Sequence, residues 1–309
     1  MMESLDTLKG IIASCNKFRG NRDMSPWWTF HIQSRWNIGP AYGYIPKQVI
    51  AKLPRTEHFV FDDGKQTLSL IAHPDRWDEA MQALLGADSV KEALPPLKNW
   101  PGEHWPVLGV PKLKIPCGAG PLFGIVTAGV HLTIYTGDTS EDMKIWVGRR
   151  AADNPAYPAM LDSTVAGGMH PWEPADVTLI RKVQEETSMV EEFWKANNPE
   201  PVGEVRYFNA IDIDEPKVLG LEPGIRYSFA MRLDPACDWK PVSRSPELAT
   251  HELMTVREVL KRLVNKEFKP NSGLIMLHFL VRKGVLRLGE SDRQEVIDAL
   301  EERLPLATE

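Results

Sequence analysis

Cysteine is scarce in this sequence, and the few present do not pair. Cys15, Cys117 and Cys237 are odd in number, far apart and in no C-x-x-C arrangement. That excludes a disulfide framework and a zinc site of the usual spacing, and reduced, buried thiols are expected. Long apolar runs are missing as well: no stretch approaches the roughly 18 apolar residues needed to cross a bilayer. The opening segment MMESLDTLKGIIASCNKF has no basic start followed by an apolar run, so neither a membrane span nor a secretory leader is expected, and the chain reads as cytoplasmic. Blocks of Lys and Arg are absent and the formal net charge is −6. Without a basic stripe to track phosphates, a nucleic acid polymer is not an expected partner. There is no internal repeat or low-complexity segment. A small anionic ligand remains within reach of such a chain.

What is present is ordinary globular material: 309 residues, 43% hydrophobic and 25% charged, enough for one large core or two modest ones. Leu5, Leu8, Ile11 and Ile12 recur at helical spacing, and Trp27 to Ile32 is a β-prone aromatic run. Two short apolar segments, Phe59 to Phe61 and Thr67 to Ile71, flank Asp62-Asp63-Gly64-Lys65, a hairpin signal. Arg76 to Leu85 reads as an amphipathic helix. From Ala93 to Gly120 the chain is rich in Pro and Gly, so regular structure should be sparse. A junction near Pro116 to Gly120 divides an N-terminal α+β domain, residues 1–118, from a second domain, residues 119–309. In the latter, Leu122 to Tyr135 reads as a buried strand pair bending at Gly124 and Gly129. Met143 to Arg149, Val202 to Ile213 and Ile225 to Leu233 read as strands. Helices are expected from about Asp176 to Met189, from Val256 to Val264, and from Ser272 to Lys283 after the stop at Lys269-Pro270-Asn271. Strands with helices on both sides imply an α/β/α sandwich with a mixed sheet.

The chemistry concentrates in GGMHPWEPADVTLIRKVQEETSMV, which begins at Gly167. Gly167 and Gly168 open a loop whose backbone a ligand can approach closely, and the loop feeds a helix that projects side chains from successive turns. Lys182, Glu185 and Glu186 lie three and four residues apart on one face, whereas Ile180, Val183 and Thr187 turn toward another. Paired carboxylates suit Mg²⁺, a hard cation that keeps open positions for water and diphosphate oxygens, with Mn²⁺ as the alternative ion. Arg149 and Arg150, near the end of a strand, are either a clamp for a diphosphate or solvated strand-end residues. His131 reads as a packed strand residue, and His170 fits a substrate loop, where it could act as acid or base. Trp27, Trp28, Trp36 and Tyr42 suit either stacking on a cationic ring or packing in a core.

Gly167, Glu173, Arg181, Val183, Glu185, Glu186 and Met189 fall in register with the Nudix signature G-x5-E-x7-R-E-U-x-E-E-x-G-U, where U is apolar; Lys182 and Ser188 depart from it. The chain therefore resembles the Nudix hydrolases. That resemblance implies that Arg181 orients the metal-binding glutamates, that Glu173 braces the loop, and that the backbone carbonyl of Ala166 adds a metal ligand. Longer segments, FHIQSRWNIGPAYGYIP, PLFGIVTAGVHLTIY, IWVGRRAADNPAYPAMLDSTVAGGM and EFKPNSGLIMLHFLVRKGVL, together resemble the eukaryotic Nudix branch linked to thiamine diphosphate. This branch has its own N-terminal domain. The resemblance implies a diphosphatase acting on thiamine diphosphate or its oxidised analogues.

Three departures fall at the chemistry. The family's third glutamate is replaced by Lys182, and a Lys182 to Glu186 pair at i,i+4 would compete with Mg²⁺, predicting slow turnover or a raised metal requirement. An acidic D-G-E-x-E segment reads Ser245-Pro246-Glu247-Leu248-Ala249, leaving Glu247 as a remote ligand or base. The aspartate-asparagine before the loop reads Asp162-Ser163. The leading expectation is a Mg²⁺-dependent hydrolase of a small organic diphosphate. In it Glu185, Glu186 and Ala166 hold metal, Glu186, Arg181, Glu247 and Lys182 carry catalysis, and Arg149, Arg150, Gly167, Gly168 and His170 bind substrate. The alternative is recruitment to non-hydrolytic isomerisation or cyclisation through Lys182. A third reading is a binding protein with a dead site. The expected partner is the small-molecule diphosphate alone, and the sequence is compatible with an oligomer without specifying one.

Overall fold

The computed structural model of the protein describes residues 4–21, 23–32, 41–98, 102–154, 156–213 and 218–308. The Ser4 hydroxyl accepts from the Thr7 N–H and caps α1 (Leu5–Ser14). Four strands follow, β1 (Trp27–Ile32), β2 (Gly43–Pro46), β3 (Phe59–Asp62) and β4 (Thr67–Leu70), in the sheet order β2-β1-β4-β3. The Asp-Gly segment makes the expected turn: Asp62 Oδ1 accepts from the Lys65 N–H at 2.9 Å, and β3 pairs antiparallel with β4. Helices α2 (Lys47–Ile50), α3 (Trp77–Leu85) and α4 (Asp88–Ala93) and the two-stranded pair β5 (His104–Pro106) and β6 (Lys114–Pro116) complete this unit. Its core gathers Phe30, Leu68, Leu70, Leu84 and Ile115 with Leu122 and Phe123. By contrast, Leu8, Ile12 and Cys15 pack in the core of the following sheet. Helix α1 thus buries its apolar stripe outside the core of the first sheet.

The expected strand pair from Leu122 to Tyr135 is instead one short helix, α5 (Gly120–Phe123), and one strand, β7 (Thr127–Thr136). Pro121 sits in the first turn of α5, where its missing N–H costs nothing, and Gly124 ends the helix at φ 55°. Then come β8 (Lys144–Arg150), β9 (Leu161–Asp162), β10 (Val165–Gly168), α6 (Ala175–Thr187), α7 (Glu191–Asn197), β11 (Glu200–Ile213), β12 (Val218–Leu233) and β13 (Leu248–Thr255). The sheet runs β11-β12-β7-β8-β13, with β10 on β7 and β9 on β8, and is mixed because β12 and β7 are parallel.

Alternation along β7 makes the sandwich. Val130, Leu132 and Ile134 pack with Leu179 and Val183 of α6 on one face. Tyr135, from the other face, joins a core with α1 and the C-terminal helices α8 (Val256–Val264), α9 (Pro270–Arg282) and α10 (Glu290–Glu301). Helix α9 is mostly apolar and buried from Ser272 to Val281, and its buried polar groups are bonded, Ser272 to Asp162 and His278 to Glu301. At about 1.5–3 kcal/mol per large side chain removed from water, this helix anchors that layer. Its start, at Lys269-Pro270, holds residues of the site in place. The three cysteines are free, and Cys237 is only partly buried. Among the described residues no helix is long and apolar enough to cross a membrane.

Candidate functional site

Strand register lays out a floor. Arg226 of β12 stands beside Gly129 of β7, which stands beside Gly168 of β10; the next row on the same face is Ser228, His131 and Ala166. Gly129 has to be bare: a Cβ there would lie 2.8 Å from the Gly167 carbonyl oxygen and 3.3 Å from Arg226 Cδ. Gly167 is bare for a different reason, since a Cβ would meet Lys182 Cε at 2.3 Å. The Lys182 side chain lies across the loop glycine. Above this floor opens a cavity of about 640 Å³. Ala166 to Trp172, Lys182, Arg150, Glu247, Lys269 and Asn271 wall it on one side; Glu103, His104, Trp105 and Lys114, from the N-terminal unit, wall it on the other.

The loop is held to α6 by charge. Arg181 donates to both Glu173 carboxylate oxygens, at 3.0 and 2.7 Å, and to Glu185 Oε1 at 3.2 Å. Glu173 also accepts from the Thr178 hydroxyl at 2.8 Å and from the His170 N–H at 3.4 Å. The Arg181 guanidinium holds the Glu173 carboxyl down to about 2.

Glu185 and Glu186 face different surroundings. Glu185 is half exposed and takes Lys182 Nζ at 2.8 Å besides Arg181. Despite partial burial, these two cations hold its carboxyl below the usual range. The expected Lys182 to Glu186 pair is therefore corrected to Lys182 with Glu185, three residues on. Glu186 is 3% exposed and accepts from the Ala166 N–H at 3.0 Å. Burial pushes its carboxyl up to about 8, opposed by the Ala166 N–H and Lys182 and helped by Asp162 and Glu247. A Mg²⁺-class ion needs several oxygens converging on one point. Among the described residues no three His, Cys, Asp or Glu side chains stand close enough to hold a metal ion. With Lys182 lying over Gly167, the residues as arranged do not fit the expected Mg²⁺ or Mn²⁺.

Of the two strand arginines only Arg150 lines the cavity. Its guanidinium meets Asp162 at 3.0 Å and Asn154 at 2.8 Å, both buried. Arg149 is turned to Glu252 at 2.6 Å and to the Ala159 carbonyl. Gly167, Gly168, His170 and Glu247 all line the cavity. His131 does too, buried and bonded to the Ser163 hydroxyl at 2.9 Å, and burial pushes its imidazole down to about 3. Trp27 and Trp28 are core residues, 5% exposed, Tyr42 packs on the core of the N-terminal unit, and Trp36 lies outside the described residues. The residues that sequence reasoning missed are Arg226, Lys269, Asn271, Trp105 and Trp172. Lys269 and Asn271 lay inside a quoted segment, but as a helix stop. Arg226 is anchored by the Thr127 carbonyl and hydroxyl at 2.7 and 3.1 Å.

No family model matches the chain. The uncharacterized protein YJR142W of Saccharomyces cerevisiae is 27% identical over 293 residues, which are 87% of this chain and 83% of the yeast protein. Nudix hydrolase 20, chloroplastic, of Arabidopsis thaliana is 26% identical over 311 residues, 94% of this chain and 77% of the plant protein. Nudix hydrolase 24, chloroplastic, from the same plant is 26% identical over 239 residues, 72% of this chain and 59% of its own length. Among solved structures, the NUDIX domain of Shewanella oneidensis NrtR aligns with 52% of this chain and 90% of its own at 12% identity and a TM-score of 0.37, too distant to bear on function. A glycine loop braced through Glu173 and Arg181 onto a glutamate-bearing helix, in a chain 26% identical to two named Nudix hydrolases over most of its length, makes this protein similar to the Nudix hydrolases.

Proposed function

We propose that the protein binds a small organic diphosphate in the cavity between its two units and hydrolyses it to the monophosphate and inorganic phosphate. One observation carries this reading. Bare glycine backbone, cations from three separate places (Arg226 on β12, Lys182 on α6, Lys269 before α9) and the Glu247 carboxylate line the same space. Guanidinium and ammonium groups give charge-assisted hydrogen bonds to phosphate oxygens. The same groups stabilise the charge that builds as the bridging P–O bond breaks. Glu247 is exposed on the cavity wall; in this reading it takes a proton from the water whose oxygen bonds to phosphorus. The superfamily resemblance implies a divalent metal, but the donors here do not converge, and no step is assigned to one.

Trp105 and Trp172 favour a planar head group, such as that of thiamine diphosphate or its oxidised analogues. Trp172 is 55% exposed on the cavity loop and sits at φ 64°, a strained left-handed conformation for a bulky residue, and such strain gathers at ligand sites. The test is phosphate release from thiamine diphosphate, its oxidised analogues and prenyl diphosphates. Release of inorganic phosphate is expected, and Trp172→Ala should raise KM for the ring-bearing substrates by about tenfold, the loss of one stacking contact. No phosphate from any diphosphate would remove the hydrolytic reading. The Lys182 ammonium in the wall supports a second reading, isomerisation or cyclisation. Those reactions leave the two phosphorus atoms joined, so the same product assay separates the readings.

A further inference from the structure

Five cationic side chains line the cavity, Lys114, Arg150, Lys182, Arg226 and Lys269, against the two carboxylates Glu103 and Glu247. Three of the five are matched by an acid: Lys114 by Asp78 at 3.5 Å, Arg150 by Asp162 at 3.0 Å and Lys182 by Glu185 at 2.8 Å. Arg226 and Lys269 form no ion pair among the described residues. Arg226 is fixed by Thr127 and lies 5.2 Å over the Tyr207 ring. Lys269 is fixed through its backbone, its N–H donating to the Leu161 carbonyl at 2.8 Å. Two acids feel Lys269, the buried Asp162, which is bonded to Arg150, and the part-buried Glu222, which accepts from the Tyr157 hydroxyl at 3.4 Å; among the described residues neither lies within ion-pair distance of it. Both cations are thus placed by the fold and left open to the cavity.

Lys182 completes the set. Its alkyl chain lies on Gly167 and its ammonium adds positive charge beside the glycine loop, while Glu185 and Glu186 stay apart. We infer that the site grips its diphosphate by direct contact with Arg226, Lys269 and Lys182, and does so without a divalent ion. This rests on the diphosphate reading above and adds to it the means of recognition. A guanidinium fork can take two oxygens of one phosphate, and two ammonium point charges can take the other. Direct pairing of this kind is weakened by salt but indifferent to chelators.

The experiment is isothermal calorimetry of the full chain with inorganic pyrophosphate, in EDTA and again in excess Mg²⁺. Affinity in EDTA should equal or exceed that in Mg²⁺. Lys269→Gln and Arg226→Gln should each weaken binding in EDTA by about tenfold or more, as expected for a lost charge-assisted hydrogen bond. Lys269→Arg should restore most of it, which also guards against a folding defect. Lys182→Glu, by supplying the absent carboxylate, should abolish binding in EDTA and make it depend on Mg²⁺. Binding that appears only with Mg²⁺ overturns metal-free recognition and leaves the diphosphate reading standing. Binding in EDTA that ignores both neutral substitutions overturns the assignment to these residues. No binding under either condition overturns both.

Discussion

The charged residues around the glycine loop fall into two sets with different partners. On the α6 side, Glu173, Arg181, Lys182 and Glu185 satisfy one another across 2.7 to 3.2 Å, and the product is a braced loop. On the floor, Arg226 leans on Thr127 and Lys269 is placed by its backbone, and among the described residues neither meets an acid within ion-pair distance. Local neutralisation is what a fold needs from half-buried charge. Open charge beside bare backbone in a concave space is what an anion needs. Motif residues therefore build most of the frame, and of the three cations assigned to the ligand only Lys182 lies within the motif, Arg226 and Lys269 coming from outside it.

Breaking a compensated pair, on α6 or at the buried Arg150–Asp162 contact, should harm stability, and removing an open cation should harm binding. The largest stability effect is expected from Asp162→Asn, which leaves the Arg150 side chain, 7% exposed, without its buried counter-ion. A loss of about 3–5 kcal/mol is predicted in denaturant unfolding. Lys269→Gln, which leaves the Asp162–Arg150 contact in place, should cost less stability than Asp162→Asn. Equal losses from the two would erase the distinction.

Glu186 sharpens the comparison through pH. Its carboxyl titrates near 4.5 when unfolded and at about 8 when buried. The folded state therefore binds the proton more tightly across that window, and stability falls as pH rises through it. With EDTA present, Glu186→Gln should remove this slope and raise stability at pH 8 by a few kcal/mol, on the order of one pKa unit's 1.4 kcal/mol several times over. His131 works the other way: its imidazole, about 3 when folded against 6.5 in the open chain, takes stability away as pH falls below 6.5. The Glu186 slope is therefore best read above about pH 7, where an unperturbed histidine is neutral. A wild-type slope that survives the substitution would contradict the buried, protonated carboxyl.

The smallest effect lies at the end of α6. Ser188 stands where the signature has glycine, at φ 56°. Ser188→Gly should stabilise by about 0.5–1 kcal/mol in a thermal melt, a gain limited by losing the Ser188 hydroxyl's bond to the Val242 carbonyl at 3.0 Å. Destabilisation would mean that this bond outweighs the backbone strain.

The frame was legible in the sequence because it is local. Spacing alone put Gly167, Glu173, Arg181 and Glu185 on one loop and helix, and helix-flanked strands implied the sandwich. Adjacent glutamates were another matter: consecutive helix residues lie about 100° apart, so Glu185 reaches solvent while Glu186 turns under β10, and only packing decides which. Arg226 reached the floor through the parallel pairing of β12 with β7, 97 residues away at the Gly129 register, which no local pattern announces. Trp105 reached it through docking of the N-terminal unit. Leu122 read as a strand start because the apolar run hid the short helix that Pro121 opens.

The most direct measurement is a crystal structure of the protein with pyrophosphate. The account predicts the anion between the two units, its oxygens on the Arg226 guanidinium and the Lys269 and Lys182 ammonium groups. A pyrophosphate held on the outer face of α6, through an ion bridging Glu185 and Glu186, would contradict it.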